Sequence, residues 1–381
     1  MRSAGLRYPG FSIAPPVDLG HQGRITSAVI VPTDIIGINA QDWPHVASPA
    51  PSFNYGHFHT IDNKRVHWNA LHTAAGVYDW SNMDTLVSAL GGKSIFFCHV
   101  GTPTYLAQAA DAAVVGPYGS AGEMSMPTSM ADMQAFLTEL VNRYPTIKAV
   151  QLGNEPTFTG NGSPLTTFWW GTAAQLVDYC YYAREAIKAA RPDIVVTTPG
   201  VYDPTTFAAF LDATGTLSGV TGWQVAFDAL CLHPYMAYPN SRTNETGMDL
   251  ETLYIGGITP FRKLMTDRGA ASLPVYISEY GVASGASHPR KIAFDLMTAA
   301  QRRQFIGRMG VAAARLGVQM ISFFSFNSNS NLCGSLTEAN GAGAGIGDAH
   351  AAVAGKTLTD AYYASTGVES GKCSDGSTYS I

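Results

Sequence analysis

The sequence predicts an α/β protein built as a single (β/α)8 barrel, with a short N-terminal lead-in and a Gly-rich C-terminal extension. Three observations carry this. Eight short apolar runs alternate with helical patterns along the chain. Two of those runs end in a glutamate, Glu155 and Glu279, where a strand opens into a loop. No Gly-rich phosphate loop follows an early strand, as an open doubly wound sheet would want.

The elements follow in order. Residues 1–33 form an irregular lead-in with Pro15-Pro16 and scattered glycines. Strand one is expected over Ile35–Asn39 and a short strand two around Arg65–Trp68. Ser81 opens a helix with Asp84 as its capping-box partner, and Met83, Leu86, Val87 and Leu90 form its apolar stripe. Strand three covers Ser94–Val100. The next helix opens at Pro127-Thr128-Ser129, and Met133, Phe136, Leu137, Leu140 and Val141 recur with a helical period. Strand four, Ala149–Gly153, delivers Glu155. A helix over about Thr172–Ala190 leads to strand five, Ile194–Thr198, and strand six is Ala229–His233. Strand seven, Val275–Ser278, delivers Glu279. A helix over Gln301–Leu316 precedes strand eight, Met320–Ser325. The barrel therefore spans 34–327. The extension 328–381 completes it, with Leu358–Tyr363 as a candidate closing helix.

Composition narrows the function. The 381 residues can bury a sizeable core. Only 13% are charged, against roughly 25% in an average soluble protein. Gly, Ser, Thr and Asn replace the missing charge, which suits an extracellular or periplasmic, carbohydrate-facing protein. The net charge of −5 gives no reason to expect nucleic acid. No apolar run is long enough for a membrane span, and Met1-Arg2-Ser3-Ala4-Gly5 lacks the apolar core of a signal peptide. The five cysteines show no CxxC spacing. Cys98, Cys180 and Cys231 read as core thiols. Cys333 and Cys373, both in Gly/Ser-rich segments, are candidates for a disulfide or for two free thiols.

A barrel places its chemistry at the carboxyl ends of its strands. Those ends supply Asn39, Trp68, His99, Asn154, Glu155, His233, Tyr235, Glu279 and Phe326. Two carboxylates on different strands are what glycoside hydrolysis requires: one protonates the leaving oxygen and the other faces the anomeric carbon. Arg65 is a candidate to hold Glu279 ionised, and Tyr235 to donate a hydrogen bond to it. Asn154 is a candidate for a sugar 2-hydroxyl. Trp43, Trp68, Tyr105, Trp169, Trp170 and Tyr280 are candidate stacking faces, of which two or three are expected to meet a ligand. His57 and His59 lack a third metal ligand at a recognisable spacing, and the chemistry calls for no cofactor.

These residues also carry a resemblance. Gly153-Asn154-Glu155-Pro156 resembles the Asn-Glu-Pro motif of the clan A retaining glycoside hydrolases, whose glutamate is the acid/base. Ser278-Glu279-Tyr280-Gly281 resembles the clan's nucleophile strand. Arg65-Val66-His67-Trp68 is similar to the strand-two Arg-x-His of family 39, and Gly76-Val77-Tyr78-Asp79-Trp80-Ser81 with Asp84 to a further motif of that family. Leu232-His233-Pro234-Tyr235 resembles its strand-six His-x-Tyr. The resemblance covers roughly residues 34–327. It implies Glu155 as acid/base, Glu279 as nucleophile, and an oligo- or polysaccharide substrate. Together with the strand-end and loop readings, the candidate lining is Asn154, Arg65, His67, Trp68, His99, His233, Tyr235, Trp169, Trp170, Tyr280 and Phe326.

Two departures shape the expectation. Phe326 stands near the end of strand eight, where clan members often place a tryptophan. The chain also has little room for the β-sandwich of family 39 xylosidases, which favours the shorter exopolysaccharide hydrolases and hence endo cleavage. An exo-acting β-xylosidase-like enzyme and a non-catalytic carbohydrate-binding barrel are the alternatives.

Overall fold

Eight parallel strands form one sheet in the computed structural model, which describes residues 28–45, 55–158, 166–234, 257–270, 273–280, 310–324 without 312 and 315, 351–363 and 369–380. The strands are β1 (Ile36–Asn39), β2 (His57–His59), β3 (Ser94–His99), β4 (Ile147–Leu152), β5 (Val195–Thr197), β6 (Leu230–Leu232), β7 (Val275–Tyr280) and β8 (Val318–Phe323). Their order is β5-β4-β3-β2-β1-β8-β7-β6. Parallel bridges from Thr197 to Ala229 and from Val201 to Leu232 join β5 to β6 and complete the ring. This is the (β/α)8 barrel that the strand–helix alternation predicts.

Its longer described helices are α1 (Ser81–Leu90), α2 (Met130–Arg143), α3 (Ala173–Ala190), α4 (Pro204–Asp212) and α5 (Thr259–Asp267). Their starts follow local chemistry. Ser129 accepts the Asp132 N–H ahead of α2, and Thr172 and Gln175 form a reciprocal capping box ahead of α3. Asp203 caps α4, where Pro204 needs no N–H partner. The apolar stripes of α1 to α3 bury Met83, Leu86, Phe136, Leu140, Leu176 and Ile187 against the outward strand residues Phe58, Ile95, Phe97, Val150 and Leu152. No described helix is long and apolar enough to cross a membrane.

The barrel interior is layered. Phe96, Ala149, Ala229, Cys231, Tyr276 and Met320 pack as an apolar group. A buried polar group belongs to the same interior. His59 bonds Asn39 Oδ1 at 2.7 Å and Gln151 Oε1 at 3.0 Å, and Cys231 Sγ lies 3.0 Å from Ser278 Oγ. His57 lies between the Asp34 carbonyl and Ser322 Oγ, both at 2.6 Å. Both histidines of that pair thus have their ring nitrogens hydrogen-bonded inside the barrel.

Three local expectations are corrected. Strand two is His57–His59, whereas Arg65 lies in a 3-10 turn, Lys64–Val66, followed by a short helix, Trp68–Leu71. The run looked strand-like because Val66 and Trp68 are both buried. Asp84 does not cap α1. Trp80 occupies the N-cap without a side-chain bond, Asp79 accepts the Ser81 N–H, and Asp84 instead pairs with Arg143.

The third correction is in the extension. Leu358–Tyr363 belongs to a strand, β9 (Thr357–Tyr363), not a helix. It pairs antiparallel with Val29–Ile30 and with β10 (Glu369–Cys373), which in turn pairs with β11 (Thr378–Ser380). A segment of Thr and Tyr with one buried Leu favours a pleated surface over a helix. Among the described residues Cys98, Cys180, Cys231 and Cys373 are free thiols, and Cys333 lies outside them. Most of Gln301–Leu316 also lies outside them, with helical residues at 310–311 and 313–314.

Candidate active site

Gly153 and Gly200 shape the end of β4. Gly153 adopts φ +94°, and Glu155 itself takes a left-handed φ of +35°. Three backbone bonds hold this turn: Gly153 N to the His99 carbonyl, Gly200 N to the Gly153 carbonyl, and Glu155 N to the Gly200 carbonyl. The result projects the Glu155 carboxylate toward β6. Its Oε1 lies 2.8 Å from His233 Nδ1.

A β-bulge delivers Glu279. Ile277 pairs with Ile321 and Tyr280 with Phe323, so β7 carries one residue more than β8 between these pairs. Without the extra residue, strict alternation would put Glu279 on the same face as Ile277, in the helix-packed layer. With it, Glu279 Oε2 comes within 3.8 Å of His233 Nδ1, and Tyr280 turns into the core against Phe323. Glu155, His233 and Glu279 thus form one cluster whose ligand-type atoms all lie within 4.8 Å of one another. That spacing also suits a cation.

His233 is buried, with Nε2 at 2.8 Å from Ser278 Oγ. Burial opposes its charge. The Glu279 and Glu155 carboxylates and the Cys231 contact outweigh it and raise the pKa well above the ordinary histidine value. Asn154 is oriented from below. Gln151 Nε2 donates to the Gly153 carbonyl and to Asn154 Oδ1, which leaves the Asn154 amide N–H2 facing the Tyr118 hydroxyl at 3.4 Å.

The remaining expected site residues divide. His67 supports the site indirectly: its Nε2 bonds the Ile61 carbonyl, its ring makes a T-shaped contact with Tyr118 at 4.5 Å, and burial lowers its pKa to about 4. Trp170 is half-buried, and its Nε1 has no partner among the described residues. Arg65 is exposed and forms no ion pair with Glu279; the group it acts on is His45. Tyr235 and Phe326 lie outside the described residues.

Several are core residues and present no face to a ligand. Trp68 is fully buried and donates from Nε1 to His72. His99 follows the inward Cys98 and therefore points outward, stacked on Tyr179 and Phe136, where burial lowers its pKa to about 3. Trp43, Trp169 and Tyr280 are likewise buried. Tyr105 is exposed but sits against His72 in the outer layer.

Sequence reasoning missed two tyrosines. Tyr118 comes from the long β3–α2 connection. Burial first, then the nearby Cys98, Glu279 and Glu155, push its hydroxyl well above the ordinary tyrosine value. Tyr202, 51% exposed, follows β5 and feels the Glu155 charge. Their signals were weak: Gly116-Pro117-Tyr118-Gly119 marks only a turn, and Tyr202 is two residues beyond Pro199-Gly200.

Solved structures share this architecture. A glucosidase from Croceicoccus marinus superposes with a TM-score of 0.58 at 15% identity, over 91% of this chain and 74% of its own. Their fold is this chain's fold. A monomeric β-xylosidase from Caulobacter crescentus CB15 gives 0.55 at 16% identity, over 90% and 72%. Xylanase 10B from Thermotoga maritima gives 0.52 at 12% identity, over 84% and 95%. No protein-family model matches the chain, and a sequence search of curated proteins finds no match.

Proposed function

We propose that this chain is a retaining glycoside hydrolase, with Glu155 as acid/base and Glu279 as nucleophile. The observation that carries the reading is the approach of the two carboxylates within 4.8 Å from opposite sides of the barrel mouth. A double-displacement pair sits about 5–5.5 Å apart, and an inverting pair needs roughly 6.5–9.5 Å for a water. Exposure supports the roles: the Glu155 side chain is 20% accessible and that of Glu279 7%. The group that must meet both a leaving oxygen and water is the more open one.

In the first step Glu279 attacks the anomeric carbon while the Glu155 proton passes to the departing oxygen. In the second step Glu155 takes a proton from water, the water attacks the same carbon, and the Glu279 ester is released. Glu279→Ala is expected to lose nearly all activity. Glu155→Ala should still form the glycosyl-enzyme from substrates with good leaving groups. Azide should then rescue its turnover and give a glycosyl azide of unchanged configuration. An inverted product, or full activity in either variant, would sink the assignment.

The finer reading is a family 39-like enzyme that cuts within a bacterial exopolysaccharide outside the cytoplasm, its reaction carried by residues 34–327. Tyr118, Phe168, Trp170 and Tyr202, which come from three connections, supply aromatic surface for a chain of several sugars. Product sizing from a panel of polymers decides it. Oligosaccharides as early products support internal cleavage; monosaccharides alone hand the case to an exo-acting xylosidase-like enzyme.

A further inference from the structure

The β3–α2 connection holds a buried carboxylate that the proposed reaction does not use. Glu123 is 1% exposed, and its two oxygens accept three successive backbone N–H groups: Tyr118 at 2.7 Å, Gly119 at 3.1 Å and Ser120 at 3.1 Å. Its own carbonyl accepts the Thr102 N–H at 2.8 Å, which ties the turn to the end of β3. Gly116 approaches so closely that a Cβ there would lie 2.5 Å from Glu123 Oε1. Enclosing a carboxylate this way costs solvation, and burial raises its pKa even against the three donors. The return is a fixed backbone at Tyr118.

What this fixes is the Tyr118 hydroxyl. The ring is gripped by His67 in a T-shaped contact at 4.5 Å and by Phe168 at 5.5 Å. Its oxygen accepts from Asn154, so its own proton is directed to a further partner. The attacked carbon is C1, and a donor beside the carboxylates reaches only the atoms next to C1. The ring oxygen becomes positive in the transition state and repels a donor, and the departing oxygen takes its proton from Glu155, which leaves the C2 hydroxyl.

Resting on the glycosidase reading, we propose that Tyr118 contacts the substrate at its 2-hydroxyl and that Glu123 is the positioning residue that holds Tyr118 in place. The substrate class is then a sugar with a free 2-hydroxyl rather than a 2-deoxy or 2-acetamido sugar.

The test compares 4-nitrophenyl β-glucoside, β-xyloside and β-galactoside with their 2-deoxy counterparts, in turnover and in calorimetric binding. Tyr118→Phe should cut the ratio of the 2-hydroxy to the 2-deoxy values about tenfold. Glu123→Gln keeps one acceptor oxygen and should reduce the same preference by less, and Glu123→Ala by as much as Tyr118→Phe. The double variant Tyr118→Phe/Glu123→Ala should lose no more preference than Tyr118→Phe alone. Equal losses on both sugar types, an unchanged preference, or additive losses overturn the proposal; a purely structural Glu123 would lower the melting temperature without moving the preference. A parent that binds these glycosides but hydrolyses none sinks the glycosidase reading, and the binding ratios still decide this one.

Discussion

His233 meets Glu155, Glu279 and Ser278 through two ring nitrogens, so its charge has consequences for stability. Its folded pKa lies well above the unfolded value of about 6.5. A group raised in this way contributes stability that is complete below pH 6.5 and is lost as pH rises through the folded value. The parent's urea midpoint should therefore fall relative to that of His233→Gln as pH rises above 6.5; parallel curves would contradict the assignment. Gly200 is the second sensitive point. A Cβ there would lie 2.3 Å from His233 Nε2 and 2.6 Å from Gln151 Nε2. Gly200→Ala should cost about 1–3 kcal/mol through overpacking and lower kcat/KM more than tenfold, because both side chains that orient the site must move. A crystal structure of the variant with His233 unshifted would refute this.

At the scale of the element, the bulge in β7 decides which neighbour reaches the mouth. Tyr280 is consequently a packing residue. Tyr280→Ala should destabilise by about 3 kcal/mol or more, as expected for a buried aromatic, visible as a lower urea midpoint; a stable variant with a raised KM would make it a sugar platform after all. This also shows what sequence can and cannot reveal. Strands β3, β4, β7 and β8 are six-residue runs with apolar outward faces, and their positions were readable. Strand β2 was not, because two of its three residues are histidines bonded inside the barrel. Glu155 and Glu279 could be found because a strand's end is a place in the chain as well as in space. His99 was misplaced because a residue near a strand end can face either layer, and Trp68 because its segment is a short helix and not a strand. Tyr118 was missed because what brings it to Asn154 is a turn clamped by Glu123, and the sequence shows only a Gly-Pro-Tyr-Gly loop.

For the whole molecule, the mouth and the foot of the barrel are separate problems. Chemistry gathers at the carboxyl ends of the strands. At the other end, Val29–Ile30 and β9 clasp the chain just before β1, with Val31 N bonded to the Lys356 carbonyl and Gly355 N to the Val31 carbonyl. Leu358→Asp, which places a charge at a fully buried position of this clasp, should lower the thermal midpoint while leaving kcat/KM near the parent value. A matching loss of activity would show that foot and mouth are coupled. The clasp has a further consequence in time. Roughly 330 residues separate its two halves, so at about 5–20 residues per second a ribosome needs on the order of half a minute to deliver the partner of Val29–Ile30. For that interval the early strand carries unmatched backbone groups, and the foot of the nascent barrel closes only once β9 has been made.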